Sequence, residues 1–184
     1  MTNDTIVVLG FSSVGKSTFI RHLLMNVPEC KAARPVYGFM FRSGEVSDLC
    51  PGDLLHLDLS VTTASIKSDV FPCVRAHRLF GKCLEQSDVT KEIVLVAPER
   101  LIRERIVARR VVGIGFGRDD SYSTYPVAQK LKALSELPLA ERYDQWFQFL
   151  QHRRIDFEIV RTDVEGYKAV AYPIHARAII SGHE

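Results

Sequence analysis

The chain has no CxxC pair, no long apolar run and no dominant charge. Its four cysteines, Cys30, Cys50, Cys73 and Cys83, are scattered over 184 residues, too sparsely for a disulfide-built secreted domain. A zinc site of Cys73, His77 and Cys83 matches no common ligand spacing, so free thiols are expected. No apolar stretch reaches the ~18 residues of a membrane span, and no membrane partner is expected. The N-terminus passes almost at once into a short apolar strand, which predicts no secretory signal and a reduced, cytoplasmic protein. Twenty-four basic and 22 acidic residues leave a formal charge of +2, which gives no electrostatic case for a nucleic-acid partner. Internal repeats and Gly/Ser-rich linkers are also absent, so a single domain over residues 1–184 is the simplest organisation.

What is present is an alternation of strand-like and helix-like patterns. "TIVVLG" (5–10) is a short apolar run of the kind buried on both faces of a parallel sheet. From Lys16, the residues Phe19, Ile20, Leu23, Leu24 and Val27 share one side of a helix that Pro28 stops. "VYGFMF" (36–41) and "LLHLDLS" (54–60) read as strands, and 74–86 has roughly helical spacing. "EIVLVA" (92–97) is a further strand, followed at once by a helix from about Pro98 to Arg110. "GIGFGRDDSYSTYP" (113–126) reads as a loop, 127–137 as a short helix, and 139–153 as a helix with a stripe of Leu139, Tyr143, Trp146, Phe147 and Leu150. "DFEIVRT" (156–162) is another strand, which 167–174 can join across "DVEG". The alternation predicts an α/β fold: a mostly parallel central sheet of about five strands, helices on both faces, and room for an antiparallel C-terminal edge strand.

"GFSSVGKST" (10–18) follows the first strand and opens the first helix. Each residue type in the pattern G-x-x-x-x-G-K-[ST] has a physical reason. Gly10 and Gly15 permit close backbone approach to a phosphate. The N–H groups of Ser13, Val14, Gly15, Lys16, Ser17 and Thr18 can converge on oxygen atoms, aided by the positive end of the helix dipole. The Lys16 ammonium would bridge the β and γ phosphates, and the Ser17 hydroxyl would ligate Mg²⁺.

This stretch resembles the Walker A loop of the P-loop NTPases. The resemblance implies a three-layer P-loop fold that binds a nucleoside triphosphate, ATP by default with GTP open, together with Mg²⁺. A GTPase of this superfamily would carry DxxG after its third strand and NKxD later; "DVEG" (163–166) has the first set of letters but lies near the C-terminus, and the second is absent. The order of elements is more similar to small-molecule and nucleotide kinases, in which a strand leads to an arginine-rich helix and then a lid. Here those parts would be 92–110 and 111–126.

At about 100° per residue, Arg103 and Arg110 lie nearly together on the arginine-rich helix. Arg105 and Arg109 lie together on another side, with Ile102 and Ile106 as a buried stripe between. The expectation is that Arg103 and Arg110 stabilise the transferring phosphoryl group while Arg105 and Arg109 bind the nucleotide. The plainer alternative is a solvated helix with Glu99–Arg103 and Glu104 pairs. Asp58, at the end of its strand, is the best acid, either holding a Mg²⁺-bound water or orienting an acceptor hydroxyl. His56 is expected inside the sheet, Trp146 and Phe147 in the core. Arg118, Asp119 and Asp120 lie in the lid candidate, and Arg42 and Lys67 in stretches that would choose the acceptor.

The leading expectation is transfer of a γ phosphate to a hydroxyl or phosphate of a small-molecule acceptor. The alternatives are a nucleotide-binding module without turnover and an NTP hydrolase. The acceptor and the oligomeric state are not legible.

Overall fold

The first strand is central to the sheet and largely buried. The computed structural model describes residues 5–37, 40, 50–59, 89–112, 127–136, 138–152, 154–171 and 174–182. Strand β1 (Thr5–Gly10) leads into helix α1 (Lys16–Asn26), a 3₁₀ turn at Pro28–Cys30 and the short β2 (Pro35–Tyr37). Strands β3 (Leu54–Asp58) and β4 (Val89–Val96) follow, then α2 (Glu99–Val112), α3 (Val127–Glu136) and α4 (Leu139–His152). The chain closes with β5 (Phe157–Arg161), β6 (Lys168–Val170) and α5 (Ile174–Ser181).

One six-stranded sheet results, in the order β2-β3-β1-β4-β5-β6. The pairings among β1 to β5 are parallel, and β6 adds to β5 antiparallel, with Arg161 opposite Lys168. The α/β class and the mostly parallel sheet are as the sequence predicts, with the antiparallel C-terminal edge included as a sixth strand. Val7, Val8 and Leu9 of β1 and Val94, Leu95 and Val96 of β4 are wholly buried, which is why these strands are continuous apolar runs.

The helices bury the stripes that their spacing marks. Phe19, Ile20 and Leu23 of α1 are buried, as are Ile102 and Ile106 of α2 and Leu139, Tyr143, Trp146, Phe147 and Leu150 of α4. Each such side chain is worth roughly 1.5–3 kcal/mol. The Ile102 N–H bonds to the Pro98 carbonyl at 3.1 Å, so Pro98 sits at the start of α2. Glu99, in the first turn, also accepts from the Leu139 N–H at 3.2 Å and so ties α2 to the first residue of α4.

Some boundaries shift. β3 ends at Asp58, β2 spans only Pro35–Tyr37, and α2 runs on to Val112. The expected pairing of 167–174 shrinks to three residues, because the chain turns into α5 and buries Ala176, Ile179 and Ile180 instead. The helix expected at 74–86 and the loop at 113–126 lie outside the described residues, as do Cys73, His77, Cys83, Arg42, Lys67, Arg118, Asp119 and Asp120.

One acid lies inside this core. Glu92 of β4 is 0% exposed and accepts from the Trp146 indole N–H at 2.5 Å, while its other oxygen has no hydrogen-bond partner among the described residues. Burial pushes its carboxyl up to about 8 from the usual 4.5, against the opposing effect of the indole hydrogen bond. Between those values the native chain holds a proton that the unfolded chain has lost. Stability therefore falls as pH rises through the window, by up to about 1.4 kcal/mol per pH unit. Glu92→Gln keeps an acceptor for Trp146 and removes the titration. Urea denaturation at pH 5 and pH 8 is expected to show a stability drop in the wild type and a much smaller one in the variant; equal drops would exclude Glu92 as the cause.

Candidate phosphate-binding site

Residues 11–15 join the carboxyl end of β1 to α1, with β3 and β4 on either side of β1. The backbone leaves ordinary geometry here. Ser13 has φ +70° and Gly15 has φ +112°, and Gly15 stands at the start of α1 with no side-chain cap. Alternation between left- and right-handed residues turns successive N–H groups inward and makes a concavity for anions. Gly10 is required for a different reason. A Cβ there would lie 2.7 Å from Val14 Cγ1 and 2.9 Å from the Leu95 carbonyl oxygen, so any side chain would drive the loop off β4.

The loop carbonyls are held by other parts of the molecule. Lys16, 4% exposed, donates from Nζ to the carbonyls of Gly10 and Phe11, each at 2.8 Å. The Gly10 carbonyl also accepts from the Leu59 N–H at 2.9 Å, and the Phe11 carbonyl from the Val14 N–H at 3.1 Å. The Val14 carbonyl accepts from the Thr162 hydroxyl at 2.5 Å and from Arg105 Nη1 at 3.0 Å. The Phe11 N–H donates to the Tyr143 hydroxyl at 3.0 Å, and that hydroxyl donates onward to the Leu95 carbonyl at 2.7 Å.

Among the predicted residues, Ser13, Val14, Gly15, Lys16, Ser17 and Thr18 are brought together by the loop and the first turn of α1. Arg105 reaches the same loop, gripping its Val14 carbonyl, and also donates from Nη2 to the Thr162 carbonyl at 3.1 Å. Arg103 is held elsewhere. It donates from Nε to Glu99 at 2.8 Å and lines an open groove of about 920 Å³ between α2, β5 and α5, with Arg100 and Arg161. Arg100 pairs with Glu104 at 3.0 Å, so the i,i+4 pairs of the plainer reading form. Arg109 and Arg110 lie on α2, and Asp58 closes β3 opposite Gly10, but their side chains lie outside the described residues.

Several contributors are invisible to motif reading. Lys130 of α3 donates to the Ser12 hydroxyl. His56 Nε2 lies 3.3 Å from Ser17 Oγ. Thr162 and Tyr143 join the loop from 148 and 132 residues away. Tyr143 had a signal as part of the α4 stripe, which marked it as core, and His56 was expected inside the sheet, whereas it is half-buried with Nε2 toward Ser17. "DVEG" forms the turn between β5 and β6. Burial works against the Asp163 carboxylate, yet the Arg161 fork at 3.1 and 2.7 Å, with Arg105 nearby, holds its pKa below the ordinary value.

The donor set fits a polyphosphate through the left-handed residues Ser13 and Gly15, an uncapped helix start and two ammonium groups at one loop, while the Val14 N–H expected to join them is taken by the Phe11 carbonyl. It fits Mg²⁺ in part, through the Ser17 hydroxyl; among the described residues no cluster of three or more His, Cys, Asp or Glu forms a metal site. No family model and no curated protein matches the chain.

Tyr143→Phe deletes one oxygen and leaves the Phe11 N–H and the Leu95 carbonyl without that partner. A loss of about 1–3 kcal/mol in urea unfolding is expected. A loss below 0.5 kcal/mol, on the scale of a neutral surface change, would mean that the bridge does not hold the loop.

Proposed function

We propose that the chain is a P-loop protein that binds a nucleoside triphosphate with Mg²⁺ and transfers its γ phosphate to a hydroxyl or phosphate of a small-molecule acceptor. The observation that carries the proposal is the 10–18 loop, with its Gly10, Phe11 and Val14 carbonyls taken up by protein donors and the Lys16 ammonium folded back onto two of them. The strand order supports it by exclusion. β2-β3-β1-β4-β5 is neither the 3-2-1-4-5-6 order of dinucleotide-binding sheets nor the 2-1-3-4-5 order of flavodoxin-like ones. With right-handed crossovers, the connections after β1 and β4 leave in opposite directions, which is consistent with a three-layer α/β fold and supports a crevice at the loop.

In this reading the loop amides and Lys16 bind the β and γ phosphates. Lys130 brings a second ammonium to Ser12, where the terminal phosphate would sit, and favours the charge that develops on transfer. Mg²⁺, held through Ser17 and Asp58, supplies charge neutralisation and orients the phosphate oxygens. Arg105 acts from behind the loop, as a positioning residue. Arg103, Arg109 and Arg110 remain candidates for the phosphates, Arg103 only on release from Glu99. That ion pair favours a second reading, a nucleotide-binding module without transfer chemistry, since Arg103 and Arg105 both already hold protein groups. A hydrolase lacks any comparable observation.

Two experiments separate these readings. ADP formation from Mg-ATP, followed with and without sugars, nucleosides and nucleoside monophosphates, is expected to rise with one acceptor class and to vanish in Lys16→Ala. Tight ATP binding with no product under any condition would select the binding module. Lys130→Met is expected to weaken triphosphate binding about tenfold, roughly 1.4 kcal/mol, and to leave diphosphate binding near wild type. Equal weakening of both would remove Lys130 from the terminal phosphate.

A further inference from the structure

We infer that His56 positions the Ser17 hydroxyl for the divalent cation that accompanies a bound triphosphate, by accepting the Ser17 proton in a hydrogen bond. The inference rests on the phosphate-loop reading and adds to it a residue that the loop pattern does not contain.

A serine oxygen that ligates a cation gives it a lone pair and must send its single proton elsewhere. Ser17 is the second residue of α1, and the strand that supplies a partner is β3. His56 pairs in register with Val8 of β1 and with Tyr37 of β2, two positions before the end of its strand. Its neighbours Leu55 and Leu57 are buried at 0% and 1% exposure, while His56 is only half-buried. Alternation thus sends the imidazole away from those leucines, toward α1. There Nε2 comes to 3.3 Å from Ser17 Oγ. The Tyr37 ring lies 5.2 Å away, tilted at 45°, and limits the turning of the imidazole.

With its proton on Nδ1, the neutral imidazole offers Nε2 as an acceptor. A hydrogen bond from Ser17 to that nitrogen fixes the hydroxyl rotor and raises the electron density on Oγ. Partners of this outer kind are worth about 10- to 100-fold in metal affinity. Direct ligation by the imidazole is the poorer fit, because Mg²⁺ takes oxygen ligands and keeps several waters.

The test is calorimetric binding of ATP and of GTP, each in excess Mg²⁺ and in EDTA. Wild type is expected to bind more tightly with Mg²⁺. His56→Ala should lose about tenfold of that gain while its affinity in EDTA stays within about twofold. His56→Gln should recover most of the gain, since its amide oxygen can take the place of Nε2. Three results would overturn the inference: an undiminished Mg²⁺ gain in His56→Ala, an equal loss in EDTA, or a wild-type preference for Co²⁺ over Mg²⁺ that both variants abolish. The last would make the imidazole a direct ligand. If wild type binds neither nucleotide in either condition, the phosphate-loop reading falls and takes this inference with it, an outcome distinct from the other three.

Discussion

The 10–18 loop depends on what takes up its carbonyls, and those of Gly10, Phe11, Val14 and Gly15 each accept from a protein donor. An unpaired buried carbonyl costs about 1–3 kcal/mol, so the inward turn of the amides is only as stable as the partners found behind it. Gly10 and Phe11 use Lys16, Leu59 and Val14; Val14 uses Arg105 and Thr162; Gly15 uses the N–H of Phe19, four residues on. These partners come from α1, the end of β3, α2 and the turn after β5. Much of the described architecture can therefore be understood as a support for four carbonyls of this loop.

The same accounting sorts the cations. Lys16 meets the loop at the Gly10 and Phe11 carbonyls and Lys130 at the Ser12 hydroxyl. Arg105 meets it from the far side, satisfying a carbonyl that an ammonium point charge would match less well than a two-armed fork. Arg100, Arg103 and Arg161 are matched by Glu104, Glu99 and Asp163.

How far the sequence discloses this depends on the range of the interaction. β1 and α1 were legible because each is defined by its own residues: a continuous apolar run, then a 3.6-residue stripe, with the loop pattern between. The α4 stripe was legible for the same reason. β6 was half legible, because the residues that could have extended it form α5, whose Ala176, Ile179 and Ile180 have helical spacing but span too few positions to stand out. The roles of Thr162, Tyr143, Lys130 and His56 were not legible. Each depends on a contact made across 39 or more residues, and a threonine, a core tyrosine, a helical lysine and a strand histidine carry no local mark of it. The arginines of α2 show the limit from the other side. Helical geometry separated Arg103 from Arg105 correctly, but it could not say which side faces the loop.

The support of the loop bears on what it can do. A polyphosphate site built from fixed amides does not have to organise itself when the ligand arrives, so less of the binding free energy goes into ordering the chain. The fixed partners of the carbonyls supply that order in advance. The ammonium groups differ from the backbone and guanidinium partners: Lys16 rests on two carbonyls and Lys130 on a hydroxyl, and a phosphate oxygen would offer each a stronger, charge-assisted partner. Exchange of one oxygen partner for another needs only side-chain rotation. In the proposed function, the backbone with its hydroxyl and guanidinium partners would fix where the phosphate lies, and the two ammonium groups would follow its charge.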